Sequence, residues 1–155
     1  MNLKQAFLIS LCFSVLLITG CKRPSSNEDL HGGQPKLPTR ALRIDGHALT
    51  AEIADTPQAM TLGLMFRKSL GENEGMLFIF SKPKRTSFWM RHTLIPLSIA
   101  YIDASGKILE IHGMQPLNEA QIASESDQIL FALEVNQGWF AKRGIAAGAK
   151  IEGLP

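Results

Sequence analysis

The chain carries only two cysteines, Cys12 and Cys21, and both fall near its start. From Lys22 onward there is no thiol, which excludes disulfides, thiolate metal centres and cysteine nucleophiles from that part. Charge of neither sign dominates: 16 Lys and Arg stand against 14 Asp and Glu, for a net +2. With no concentrated basic face, nucleic acid is not an expected partner. No apolar run reaches the ~20 residues of a membrane-spanning helix. Gly-x-Ser-x-Gly, His-Glu-x-x-His and paired-carboxylate motifs are also missing. No catalytic residue is therefore assigned, no cofactor is expected, and the reading leans away from an enzyme.

What is present at the N-terminus is an address. Lys4 precedes an apolar run from Ala6 to Ile18, the length of a secretory signal core. The run ends in Leu17-Ile18-Thr19-Gly20-Cys21, which resembles the lipobox of bacterial lipoproteins. That resemblance implies a signal peptide over residues 1–20 and lipidation of Cys21 as the first mature residue. Two or three acyl chains anchor stably where one does not. Lys22, rather than Asp, follows the cysteine, and by resemblance to Gram-negative sorting signals this favours the outer membrane, facing the periplasm. Residues 21–39 hold three prolines and two glycines but few large apolar residues, so they read as the lipidated cysteine and a flexible tether.

Residues 40–155 read as a single domain. Ala41–Ile44 and Ala48–Ala54 alternate and are joined by Asp45-Gly46, a hairpin signal. Asp55 or Thr56 can cap, and Pro57 suits the first position of, a short helix that ends near Gly63. Met76–Phe80, Lys107–Met114 and Ile129–Asn136 are further strands. Ser81–Thr86 reads as a basic loop carrying Lys82, Lys84 and Arg85, and Pro116–Gln128 is a longer polar excursion. Gly138–Arg143 makes one helical turn closed by Gly144, and a last short strand lies within Ile145–Leu154. Many short strands with two short helices imply an α+β, mainly β domain, a small barrel-like or rolled mixed sheet.

The most apolar stretch runs from Thr86 to Asp103 and splits at Pro96 into two extended pieces, read as the centre of the sheet. Phe78, Phe88, Met90, Ile99 and Phe131 are its expected core. Arg91 stands within this stretch, where a charge needs a partner. Two outcomes are open. In one, Asp103 or Glu134 pairs with Arg91. In the other, its guanidinium faces a groove beside Trp89 and Trp139.

The chain also resembles the bacterial and archaeal family known as domain of unknown function 192. The resemblance rests on Gly63-Leu64-Met65-Phe66-Arg67, Glu74-Gly75-Met76-Leu77-Phe78-Ile79-Phe80 and Ser87-Phe88-Trp89-Met90. It continues through Thr93-Leu94-Ile95-Pro96-Leu97, Tyr101-Ile102-Asp103, Leu133-Glu134-Val135-Asn136 and Gly138-Trp139-Phe140. It implies a compact β-rich domain, often behind a signal peptide, without an established activity. Where the family usually has Lys-Asn this chain has Arg91-His92, and it has Ser98 where the family often has Asp.

Three functions follow from these residues. The first is a binding or accessory module at the envelope, held to the membrane by its lipid. Arg67, Trp89, Arg91, His92, Asp103, Glu134 and Trp139 would contact an anionic ligand, an envelope glycan or a protein partner, through guanidinium forks and aromatic faces. The second is an enzyme acting on an envelope carbohydrate or peptide. The third is a periplasmic copper binder, in which Met90, His92, His112 and Met114 supply thioether and imidazole ligands suited to Cu(I); core packing of both methionines is the preferred account of those four.

Overall fold

A computed structural model describes residues 35–155. The expected signal peptide, Cys21 and most of the tether lie outside the described residues.

The first hairpin forms as its sequence dictates. Strand β1 (Thr39–Ile44) pairs antiparallel with β2 (His47–Ala54) through a turn in which Asp45 and Gly46 both have positive φ, at 45° and 82°. Asp-Gly tolerates that conformation, whose twist matches the flanking strands. The Thr56 hydroxyl then accepts from the Ala59 N–H at 3.2 Å and caps α1 (Pro57–Leu62), with Pro57 in the first turn and Gly63 ending the helix. This crossover returns the chain as β3 (Glu74–Lys84), parallel to β2. The strand runs past Phe80 through most of the segment expected as a basic loop, because β8 still pairs with it at Lys84.

The remaining strands are β4 (Ser87–Phe88), β5 (Leu97–Ile102), β6 (Ile108–Met114), β7 (Ile122–Ala123), β8 (Ile129–Asn136) and β9 (Ile151–Glu152), with a 3₁₀ turn at Ala141–Arg143. Seven strands form one mixed sheet in the order β6-β5-β8-β3-β2-β1-β9, curled into a half-barrel, while β4 and β7 pair separately. The expected α+β, mainly β rolled sheet with two short helical elements is the architecture found. No helix among the described residues is long and apolar enough to cross a membrane.

Period-two alternation sorts the apolar side chains onto two faces. Leu77, Ala100, Ile102, Leu133 and Val135 pack with Trp139, Phe140 and Ile145 on one. Met76, Phe78, Ile99, Tyr101 and Ala132 pack on the other, with Leu64, Met90 and Ile95 brought in by loops. All six residues of β5 are buried because both faces of the sheet are covered. Phe78, Met90, Ile99 and Phe131 are buried as expected, and Phe88 is half-buried.

One expectation needs correction. Phe88–Thr93 is not a strand of the central sheet: pairing stops at Phe88, and Arg91-His92 forms an exposed turn. Arg91 is therefore not desolvated, and its charge needs no buried partner.

Candidate ligand-binding site

Strand register places Glu52, Met76, Glu134, Ile99 and His112 side by side across β2, β3, β8, β5 and β6. Two carboxylates therefore share one sheet face, with Met76 between them. They are treated differently by their surroundings. Glu52 Oε2 accepts from Arg67 Nη2 at 2.7 Å and from the Leu37 N–H at 2.9 Å, in a buried ion pair. Glu134 is 4% exposed, and no hydrogen-bond donor among the described residues reaches its carboxyl. Burial pushes its pKa from 4.5 up to about 8. The adjacent Tyr101 hydroxyl donates to the Ile122 carbonyl, and its pKa is raised by burial and then by the charges of Glu134 and Glu110.

Glu134 lines a cavity of about 350 Å³. The segment through α1 contributes Met60, Leu64 and Met65, β3 contributes Phe78 and Phe80, and the arm through β4 contributes Phe88 and Trp89. Four of the chain's eleven aromatic residues thus meet at one site. Thr61, Thr86, Ser87 and Thr93 add hydroxyls, and Lys84 is the one cation among the lining residues. Its Nζ sits 4.5 Å from the centre of the Phe80 ring.

Loops beside the cavity hold an unusual backbone. Phe66, His92 and Leu117 have φ of 63°, 54° and 61°, a conformation that costs about 1–3 kcal/mol for a side-chain-bearing residue. Backbone bonds tie these loops together: Phe66 N–H to the His92 carbonyl at 2.8 Å, Leu117 N–H to the Thr93 carbonyl at 3.1 Å, and Met90 N–H to the Asn118 carbonyl at 2.8 Å. The Phe66 ring stacks on His92 at 5.1 Å. Phe66, Trp89, Leu94 and Leu117 are the large apolar residues these loops leave exposed.

The structure gathers some sequence-predicted residues and disperses others. Trp89 and Glu134 line the same cavity, with Arg91 and His92 on the adjoining turn. Arg91 lies over the Trp89 ring at 5.5 Å and its Nε is 3.3 Å from His92 Nε2. Neither Asp103 nor Glu134 pairs with it. Arg67 is sequestered by Glu52, with its Nε unsatisfied, and is not free to hold an anion. Asp103 closes the β5–β6 turn, its Oδ1 accepting from Ser105 N–H, Ser105 Oγ and Lys107 N–H. Trp139 belongs to the opposite face, under Arg143, so the imagined groove between Trp89 and Trp139 does not exist.

The four copper candidates also have separate occupations. Met90 and Met114 are buried in the apolar cluster, His92 stacks on Phe66, and His112 Nε2 lies 3.1 Å from Glu110 Oε2. Burial works to raise the Glu110 pKa, but the N–H groups of Glu125 and Ser126 together with His112 hold it below its ordinary value. Among the described residues no cluster of three or more His, Cys, Asp or Glu is arranged to hold a metal ion.

Sequence reasoning included Glu134 but missed its cavity. In isolation Ala132, Glu134 and Asn136 read as the polar face of an alternating strand. That face is solvated only at a sheet surface, and β8 lies between β5 and β3 with both faces covered. A centrally placed strand carrying one carboxylate was the available signal.

Residues 40–153 match the DUF192 family, described as an uncharacterized ACR. A crystal structure from Sinorhizobium meliloti 1021, named as a candidate transcription regulator, is similar at 31% identity and a TM-score of 0.74. The alignment covers 78% of this chain and 98% of that one. A protein of unknown function from Novosphingobium aromaticivorans DSM 12444 is similar at 34% identity and a TM-score of 0.72, over 75% of this chain and 86% of that one. No curated protein matches the chain.

Proposed function

This chain belongs to the DUF192 family, and we propose that it is a small-ligand binding module, held to the cell envelope by lipid on Cys21, with its ligand site in the cavity over Glu134. The observation that carries this reading is a buried carboxyl with no internal partner, open to an aromatic-walled cavity. A buried polar group without a hydrogen bond destabilises a fold, and such groups concentrate where a ligand supplies the missing contact. The cavity volume of about 350 Å³ lies within the range of small-molecule sites.

Binding is favoured over catalysis by what surrounds Glu134. A carboxyl of raised pKa can serve as a general acid, but acid–base chemistry on a bond needs a second group of matched protonation. No histidine lines the cavity, and Glu52, the nearest carboxylate by register, is neutralised by Arg67 and does not line it.

The test is a fragment screen of the isotope-labelled full chain by protein-observed nuclear magnetic resonance. Binders are expected that perturb the Trp89 indole signal and weaken at least tenfold in Trp89→Ala. Binders indifferent to both Trp89→Ala and Glu134→Ala would place the ligand site elsewhere.

A further inference from the structure

We infer that the cavity takes an organic ammonium ion carried on an apolar body, its N–H groups paired with the Glu134 carboxylate. This rests on the cavity being a ligand site and specifies what enters it.

Three observations converge on a cation. Glu134 is the one acid lining the cavity, is 4% exposed, and has both oxygens free of donors. A neutral hydroxyl satisfies one oxygen with one bond, whereas an ammonium brings up to three donors and the compensating charge. Phe78, Phe80, Phe88 and Trp89 line the cavity, and aromatic faces attract cations through their quadrupole. The protein already shows this preference at the same wall, where the Lys84 ammonium sits 4.5 Å from the Phe80 ring centre. An anionic ligand would find one lining cation, Lys84, which lies over the Phe80 ring, and would share the cavity with Glu134. Arg67 is tied to Glu52, and Arg91 stands outside on an exposed turn over Trp89.

Proton balance gives the binding reaction a signature. Burial keeps the empty Glu134 protonated up to a pH of about 8. An alkylammonium entering near pH 7 forms a carboxylate–ammonium pair and expels the carboxyl proton to water, so one proton leaves per ligand bound. Other titratable groups near Glu134 are accounted for. Lys84 lines the cavity from β3, Tyr101 on β5 donates to the Ile122 carbonyl, Glu52 on β2 is bonded to Arg67, and on β6 His112 and Glu110 hold each other. Apparent affinity should therefore rise about tenfold per pH unit between 6 and 7.5 and level off above 8.

The experiment titrates the full chain by calorimetry with three probes of one shape: 2-phenylethylamine, 2-phenylethanol and 3-phenylpropionate. Measurements in phosphate and in ACES, buffers of different ionisation enthalpy that both work near pH 6.5, count released protons from the wild-type protein. Expected are amine binding at least tenfold tighter than either analogue, release of about one proton at pH 6.5, and at least a tenfold loss in Glu134→Gln, a near-isosteric change whose folding a thermal melt checks. Alcohol or acid binding as tightly as the amine would overturn the ammonium assignment while leaving the cavity a ligand site. Amine binding without proton release, or undiminished in a folded Glu134→Gln, would also overturn it. Failure of all three probes to bind would overturn both the assignment and the cavity reading.

Discussion

Glu134 is kept in the folded chain against its own stability. Its pKa is raised from 4.5 to about 8, so the folded state holds a proton that the unfolded state gives up over that interval. By linkage, stability is highest with respect to this group below pH 4.5, falls as pH rises, and is lowest above 8. At about 1.4 kcal/mol per pKa unit the full effect is several kcal/mol, a large part of a small domain's margin. Glu134→Gln removes the ionisation. The variant should melt close to wild type at pH 5 and clearly above it at pH 9, with the gap opening steadily between. A gap constant across that range would show that Glu134 ionises freely in the folded protein. A residue retained at such a cost is explained by an occupant of the cavity, because an apolar side chain at position 134 satisfies the fold better.

At the scale of elements, the site depends on how tightly β8 lies against β3. A Cβ added at Gly75 would stand 2.6 Å from the Glu134 carbonyl oxygen and 3.1 Å from Val135 Cγ1, so only glycine admits this approach. Gly75→Ala should push β8 outward at Glu134, lower the melting temperature and weaken any cavity ligand together; melting unchanged in that variant would show that the sheet yields there freely. The strands themselves were legible in the sequence, because alternation in Ile129–Asn136 and the Asp45-Gly46 turn are local signals. The loop around Arg91 was not. Its apolar residues read as a buried strand, yet Phe88 pairs only with Ile122 in a two-residue ladder and the chain then turns through His92 at φ 54°. Histidine, like asparagine, is among the side chains that tolerate that conformation, so the departure at position 92 is a local one. The other departure is equally local: Ser98 Oγ accepts from the Gly138 N–H at 3.0 Å, a bond that a carboxylate would also accept. Both positions hold loops, and neither puts a side chain into the cavity.

Across the whole molecule, the chain enters the domain beside the site. Pro38 C=O accepts from the Ile53 N–H at 2.8 Å, Leu37 packs against the cluster that includes Phe78 and Tyr101, and Pro35 and Leu37 border Ala59 and Leu62 of α1. Leu62 also lines the cavity, so entry point and ligand site share one element. Cys21 precedes Pro35, the first described residue, by fourteen positions, a span that reaches at most about 50 Å when fully extended. If Cys21 carries lipid as proposed, that reach would hold the cavity within a layer at the membrane surface. There an amine on an apolar body reaches it from the same interface that such amphiphiles occupy. Lipid and cavity are separable functions under this arrangement, and Cys21→Ser distinguishes them. Wild-type protein should take up labelled palmitate and sediment with membranes, whereas Cys21→Ser should lose the label and leave the membrane fraction. Its affinity for 2-phenylethylamine should equal that of wild type, because among the described residues the cavity is lined only from Met60 onward, by α1, β3, β4, β8 and the loops that adjoin them. Wild-type chains without label would remove the anchor and leave the binding site standing, while loss of amine affinity in Cys21→Ser would show that the lipidated end takes part in the site.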